Sequence, residues 1–87
     1  MSYSLEISEN ADSIFRKLSK KNPRQLNMID KKVLQIQQDP YRFKPLKGDM
    51  HGARRVHIDK SFVLIYEIIE GEKMVKILDY NHHDKIY

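Results

Sequence analysis

One segment, residues 62–69, limits the fold of this 87-residue chain more than any other. If it is extended, its apolar side chains fall on both sides of the strand, with one side carrying Phe62, Leu64, Tyr66 and Ile68 and the other Val63, Ile65 and Ile69. Such a strand is stable only when both of its faces are covered, as they are at the centre of a sheet. The sequence therefore predicts a sheet with this segment as a central strand.

Two further short runs flank the central one, at residues 53–58 and 74–79, and short polar segments at 59–61 and 70–73 separate the three. This spacing is typical of two successive hairpins, which form an antiparallel meander. In the first run Val56 and Ile58 alternate with Arg55 and His57. If the apolar pair faces a layer of helices, the two basic residues lie on the opposite, open face of the sheet.

The N-terminal half predicts one strand and two helices. Residues 3–7 alternate as a half-buried strand, and Ser8 can cap a helix. Asn22 and Pro23 end that helix and begin a second, whose apolar stripe is Leu26, Ile29, Val33 and Ile36. Residues 39–52 indicate a long basic loop. The expected fold is α+β: a two-helix hairpin packed on one face of a small, twisted, mainly antiparallel four-stranded sheet, in the order β-α-α-β-β-β. Residues 1–87 are expected to form a single domain.

Composition narrows the classes of protein without selecting one. Sixteen Lys and Arg against 12 Asp and Glu give a net charge of +4, which favours a polyanionic partner but also serves solubility alone. The chain has no Cys, and hence neither disulfides nor thiolate metal sites. Its longest apolar stretch is far shorter than the roughly 20 residues of a membrane span. The N-terminus does not resemble a signal peptide, so we expect a soluble, cytoplasmic protein.

Imidazoles and cations supply the candidate chemistry. A His titrates near neutral pH, so His57, His82 and His83 can move the two protons of RNA cleavage, one from a ribose 2′-hydroxyl and one to the leaving 5′-oxygen. Charge that builds on the phosphate requires cations, for which Lys47, Arg54 and Arg55 are candidates. This chemistry needs no metal or other cofactor.

Other interpretations of these residues stay open at this point. The C-terminal tail, residues 80–87, can be a solvated end or a weak metal site, and Arg54 and Arg55 can simply keep an edge strand soluble. Tyr41 and Phe43 alternate with Arg42 and Lys44, as in a base-stacking patch, or they anchor the loop to the core. A metal hydrolase would draw on His51, His57, His82, His83, Asp79 and Asp84, but no two His have the i, i+4 spacing of a helical zinc site.

Several motifs in order resemble the RelE/ParE superfamily of toxins from type II toxin-antitoxin modules. They are Pro45-Leu46-Lys47-Gly48-Asp49, Gly52-Ala53-Arg54-Arg55-Val56-His57-Ile58, Phe62-Val63-Leu64-Ile65-Tyr66 and His82-His83-Asp84-Lys85-Ile86-Tyr87. The resemblance covers nearly the whole chain. It implies a metal-independent endoribonuclease that cleaves messenger RNA, with the ribosome as a partner, and that is neutralised by a cognate, RelB-like antitoxin.

The resemblance also implies roles for individual residues. His83 is expected to transfer protons, with His57 as its partner or a phosphate ligand, Arg55 as an anion stabiliser, and Tyr87 in base stacking or proton transfer. RNA binding is expected from Lys44, Lys47, Arg54 and His82. Two departures matter, because Val63 and Asn81 stand where RelE-branch toxins carry Arg. They shift the expected chemistry toward His57 and His83.

Two other functions fit the same superfamily. The first is a ParE-like inhibitor of DNA gyrase, against which the His-rich tail argues. The second is a non-catalytic module that binds only its antitoxin or RNA.

Overall fold

The computed structural model describes residues 2–45 and 52–82 as two helices packed against one face of a five-stranded sheet. The strands are β1 (Ser4–Ile7), β2 (Lys44–Pro45), β3 (Ala53–Ile58), β4 (Phe62–Ile69) and β5 (Met74–His82). Their order across the sheet is β1-β5-β4-β3-β2, with β1 parallel to β5 and the other pairs antiparallel. The expected α+β class and the central place of β4 are confirmed.

The two helices begin where their capping residues indicate. Helix α1 (Glu9–Lys21) is capped by Ser8, whose hydroxyl accepts a hydrogen bond from the Ala11 amide at 3.1 Å. Helix α2 (Pro23–Gln38) has Pro23 in its first turn, and the Asn22 side chain accepts from the Gln25 amide at 3.2 Å. No helix in the described ranges has the length and hydropathy of a membrane-spanning segment.

The main core lies between the helices and the sheet. Its buried residues from the helices are Ala11, Ile29, Val33 and Ile36, and those from the sheet are Val56, Ile58, Leu64, Tyr66, Val75, Ile77 and Tyr80. A smaller cluster of Ala53, Val63 and Ile65 lies apart from it and packs with Leu78. Because Val63 and Ile65 alternate with Leu64 and Tyr66, this cluster lies on the open face of the sheet. Both faces of β4 are covered, as its apolar pattern predicts.

Strand β2 is the difference from the expected four-stranded sheet. The sequence predicts a loop from residue 39 to 52, but the structure has a 3₁₀ turn at Pro40–Arg42 followed by β2, which pairs with β3. Two residues are too few to show an alternating pattern, so this strand has no signature in the sequence. It forms because side chains of β3 and β4 hold the segment in place, as described below.

Candidate functional site

Strand β3 places Arg55 and His57 on the open face of the sheet, as the sequence predicts. Their neighbours Val56 and Ile58 are buried in the main core under the helices, so the alternating pair points the other way. His57 is exposed and Arg55 is half-buried. The open face of the sheet therefore carries an imidazole and a guanidinium two residues apart on strand β3.

Strand β2 extends this basic face toward the edge of the sheet. Lys44 is paired with Arg55 across the two strands, which puts their side chains on the same side. A cavity of about 320 Å³ lies here, lined by Arg42, Phe43, Lys44, Arg55, Val56 and His57. Among the described residues, every ionisable side chain in that lining is basic. The cavity, which we call the basic cavity, therefore suits an anion such as a phosphate.

Contacts from the sheet fix the segment that supplies half of this lining. The buried Tyr66 hydroxyl donates to the Pro40 carbonyl oxygen at 2.5 Å. An Arg54 guanidinium nitrogen donates to the Phe43 carbonyl at 2.6 Å and to the Tyr41 carbonyl at 3.3 Å. The Arg54 guanidinium also lies 5.1 Å from the centre of the Tyr41 ring. These contacts hold the 3₁₀ turn and β2 against β3.

A second set of contacts ties the same segment to the turn between β4 and β5. Glu70 Oε1 accepts hydrogen bonds from the hydroxyls of Tyr41, at 2.6 Å, and Tyr3, at 2.7 Å, while its other oxygen contacts Lys73. The bond from Lys73, followed by those from Tyr41 and Tyr3, lowers the pKa of Glu70 to about 2. This carboxylate network links the N-terminal strand, the 3₁₀ turn and the β4–β5 turn.

Arg42 and Phe43 are site residues that the sequence analysis did not assign. The Phe43 ring is half-buried against the main core, and both Lys32 Nζ and the Arg42 guanidinium lie 5.7 Å from its centre. The ring is therefore a fixed support for cations at the rim of the basic cavity. The alternation of Tyr41 and Phe43 with Arg42 and Lys44 was the available signal. Arg42, Phe43 and Lys44 line the cavity only because β2 pairs with β3.

The register separates His82 from His57. His57 pairs with Val63, which in turn pairs with Asn81, so these three positions form one row on the open face. His82 pairs with Phe62, and the two rings meet edge to face at 5.5 Å. Because Phe62 packs against the main core, His82 lies on the helix side. The two imidazoles do not share a face.

Four other predicted site residues remain, of which the structure describes only Arg54. Arg54 lies on the helix side with Val56, and its guanidinium binds the backbone carbonyls named above. His83, Tyr87 and Lys47 lie outside the described residues. Within residues 2–45 and 52–82, no three His, Asp or Glu side chains come close enough together to hold a metal ion.

Comparison with known proteins gives matches over nearly the whole chain. The family described as the ParE toxin of the type II toxin-antitoxin system, parDE, matches residues 3–87. A candidate toxin of Methanocaldococcus jannaschii, RelE4, is 44% identical over 98% of this chain and 90% of its own length. An uncharacterized protein of Methanosarcina mazei is 49% identical over 98% of this chain and 99% of its own.

The fold is also that of solved toxins. The toxin-antitoxin complex RelBE2 of Mycobacterium tuberculosis contains a chain that superposes with a TM-score of 0.79, covering 94% of this chain and 92% of that one at 24% identity. Helical hairpin, meander and motif order agree with the family match. The chain belongs to the RelE/ParE family of type II toxin-antitoxin toxins.

Proposed function

We propose that this toxin is an endoribonuclease that cleaves messenger RNA at the ribosome, without a metal, and that a cognate antitoxin neutralises it. The observation that supports this most is the basic cavity, where Arg42, Lys44, Arg55 and His57 surround one space and no acidic side chain of residues 2–45 or 52–82 lines it. Such a surface binds a phosphodiester, whose negative charge grows during cleavage. An acidic protein segment would bind there for the same reason.

His57 is the side chain in this cavity best suited to move a proton. In the reaction, a base removes the proton of the ribose 2′-hydroxyl, the 2′-oxygen attacks phosphorus, and the 5′-oxygen leaves with a proton from an acid. We assign one transfer to His57 and the other to His83, with Arg55 and Lys44 as ligands of the phosphate oxygens. Tyr87 is assigned to base stacking or proton transfer. The roles of His83 and Tyr87 come from the family resemblance.

The row of His57, Val63 and Asn81 supports a larger catalytic role for His57 in this chain than for the residue at its position in a RelE-branch toxin. Those toxins carry Arg at the positions of Val63 and Asn81, whereas in this chain Val63 is fully buried and Asn81 is neutral. His57 is the row's one titratable side chain. Arg55, Lys44 and Arg42 then provide the positive charge from the adjacent rows.

The direct test is cleavage of a model RNA under single-turnover conditions. His57→Ala should lower the rate at saturating protein by about 10²- to 10⁴-fold while changing affinity little. His82→Ala is the matched comparison, an imidazole on the other face of the sheet. Because it lies away from the basic cavity, its removal should leave the saturated rate unchanged. If His57→Ala only weakens binding and the saturated rate stays the same, His57 is a phosphate ligand and not a catalyst.

A DNA gyrase inhibitor is the second candidate, favoured by the match to the ParE toxin family. A brief pulse of expression separates the two functions when primer extension on transcripts is combined with trapping of gyrase-DNA cleavage complexes. Cuts within coding regions that vanish in His83→Ala support the ribonuclease. Gyrase complexes with intact messages support the inhibitor. Neither effect would indicate a module that only binds an antitoxin or RNA.

The antitoxin partner rests on the RelBE2 complex, in which the related toxin is solved together with its antitoxin. Co-expression of the wild-type toxin with its genomic neighbour should abolish growth arrest and yield a complex that survives size-exclusion chromatography. Growth arrest that persists in the presence of every adjacent reading frame would argue against a type II module at this locus.

A further inference from the structure

A second cavity, of about 410 Å³, lies where the turn of the helical hairpin meets the end of the sheet. Apolar side chains of α1, Ile14 and Leu18, form one wall, and the rings of Phe62 and Tyr80 contribute to another. Those two rings are stacked, 5.4 Å between centres and 10° between planes. We call this space the hairpin cavity. Its size is within the range of small-molecule sites.

Two buried polar side chains line the hairpin cavity with hydrogen-bonding capacity left over. Tyr80 is 2% exposed, and its hydroxyl has no hydrogen-bond partner among the described residues. Gln25 is 5% exposed, and its carboxamide makes no hydrogen bond to any other residue in the described ranges. Buried polar groups are nearly always paired in folded proteins. The unpaired Tyr80 hydroxyl points to an occupant that pairs with it, and the Gln25 carboxamide in the same lining is a further group that can do so.

The remaining polar lining defines what that occupant offers. Asn22 uses its side-chain oxygen to cap α2 and keeps its NH₂ group as a donor. Burial raises the pKa of Tyr80, so its hydroxyl stays neutral and can donate. Amides and a neutral hydroxyl among apolar walls suit a planar, uncharged group with several donors and acceptors.

The helical hairpin beside the hairpin cavity is rich in cations, while Asp59 lies close enough to Tyr80 to contribute to the rise in its pKa. Residues 13–29 contain no Asp or Glu, and their exposed cations include Lys17, Lys20, Lys21 and Arg24. Lys21 adjoins the lining residue Asn22 in sequence, and Arg24 adjoins Gln25. An occupant that combines an uncharged planar group with a nearby negative charge would satisfy both the lining and the rim.

We infer that the hairpin cavity binds a nucleobase, with the attached phosphate on the cations of the hairpin turn. The carboxamides of Gln25 and Asn22 and the Tyr80 hydroxyl pair with the edge of the base, and the apolar wall covers its face. The site is separate from the basic cavity and takes either a free nucleotide or an unstacked nucleotide of RNA. The second source rests on the proposed function.

The test uses the whole protein and two kinds of probe: the four nucleoside monophosphates, and an oligodeoxynucleotide that has no 2′-hydroxyl and cannot be cleaved. Two-dimensional ¹H–¹⁵N NMR follows the side-chain amide signals of Gln25 and Asn22. At least one monophosphate or the oligonucleotide should shift them saturably. Tyr80→Phe should weaken this binding about fivefold without lowering the melting temperature, because it removes an unpaired hydroxyl. Gln25→Leu should weaken it about tenfold.

Leu18→Trp fills the cavity and should abolish the shifts, whereas Leu34→Trp, at an exposed position of α2, is the control and should leave them unchanged. Shifts from the monophosphates alone indicate a free nucleotide as the occupant, and shifts from the oligonucleotide indicate a strand. Equal shifts from inorganic phosphate, or no shift with any probe, would overturn the inference. Cleavage is assayed separately. If the wild-type protein cleaves RNA but binds no probe here, only this site is refuted. If it binds a probe here but does not cleave RNA, only the proposed function is refuted.

Discussion

Tyr66 and Tyr80 are two buried tyrosines on the helix side of the sheet, and they differ in what their hydroxyls meet. The Tyr66 hydroxyl donates to the buried Pro40 carbonyl, whereas the Tyr80 hydroxyl has no partner among the described residues. Burial raises the pKa of Tyr66 to about 12, so it remains a donor throughout the neutral range. The same residue type therefore anchors the 3₁₀ turn at one position and lines a cavity at the other.

The contrast predicts that removing the two hydroxyls has different effects on stability. Tyr66→Phe should lower the free energy of unfolding by about 1–2 kcal/mol, because the Pro40 carbonyl loses its buried partner. Tyr80→Phe removes the same atom from an unpaired site and should be neutral or slightly stabilising. Urea denaturation of both variants measures the difference. Equal losses in the two variants would show that the Tyr66 bond contributes nothing specific.

Glu70 gives a second prediction, on pH. Its pKa falls from an ordinary 4.5 to about 2 in the folded protein, so its bonds to Lys73, Tyr41 and Tyr3 stabilise the fold above pH 4.5. That contribution is lost as the pH falls through the window from 4.5 to 2. Glu70→Gln should be less stable than wild type at pH 7 and should lose less of its stability on acidification.

Thermal unfolding at pH 7 and pH 3 measures this effect. Glu72→Gln, which removes a carboxylate from the same turn and which accepts no hydrogen bond from another described residue, is the matched control and should follow the wild type. If Glu70→Gln keeps the wild-type difference between the two pH values, the network does not titrate as its geometry indicates.

The turn between β3 and β4 has a backbone conformation that one of its residues, Lys60, does not favour. Asp59 and Lys60 have φ angles of +48° and +64°, in the left-handed region, which Asp tolerates but in which the Lys60 side chain is strained. The pairing of Ile58 with Phe62 imposes this conformation. The hairpin is therefore stable in spite of its turn residues, because both strands are anchored in the core.

Lys60→Gly should relieve that strain and raise the stability by about 0.5–1 kcal/mol, or a few degrees in melting temperature. Lys73→Gly is the comparison, since Lys73 also has a positive φ, +49°, but contacts Glu70 and lies over the Tyr3 ring. It should gain less or lose stability. A lower melting temperature for Lys60→Gly would mean that the greater backbone freedom of glycine in the unfolded chain outweighs the strain.

For the molecule as a whole, the effect of the net charge of +4 on RNA binding depends on where the cations lie. If the basic cavity binds a phosphate, Arg42→Ala should weaken RNA binding and reduce the slope of log affinity against log salt by about one. Arg16→Ala removes the same charge from α1, where Arg16 is paired with Asp12 at 3.0 Å, and should change the slope less. Filter binding of a non-cleavable RNA at several salt concentrations measures both slopes. Identical slopes would indicate that only the net charge counts.

Local patterns in the sequence predict most of the secondary structure. The double-sided apolar run identifies β4, Ser8 and Asn22 identify the starts of the helices, and the alternation in residues 53–58 assigns Arg55 and His57 to the open face. Each of these signals is contained within a few neighbouring residues, where backbone geometry decides which side chains share a face. The match of the motifs to the toxin family followed from the same short segments.

Contacts between distant segments decided the rest. The sequence alone determined the α+β fold, the central strand and a basic open face, because periodicity and capping are local. Only the tertiary structure showed that β2 pairs with β3, that Arg42 and Phe43 join Lys44 at the basic cavity, and that His82 lies on the opposite face from His57. Register and cross-strand pairing are set by packing between residues far apart in the chain, and one-residue differences in register reverse the face of a side chain.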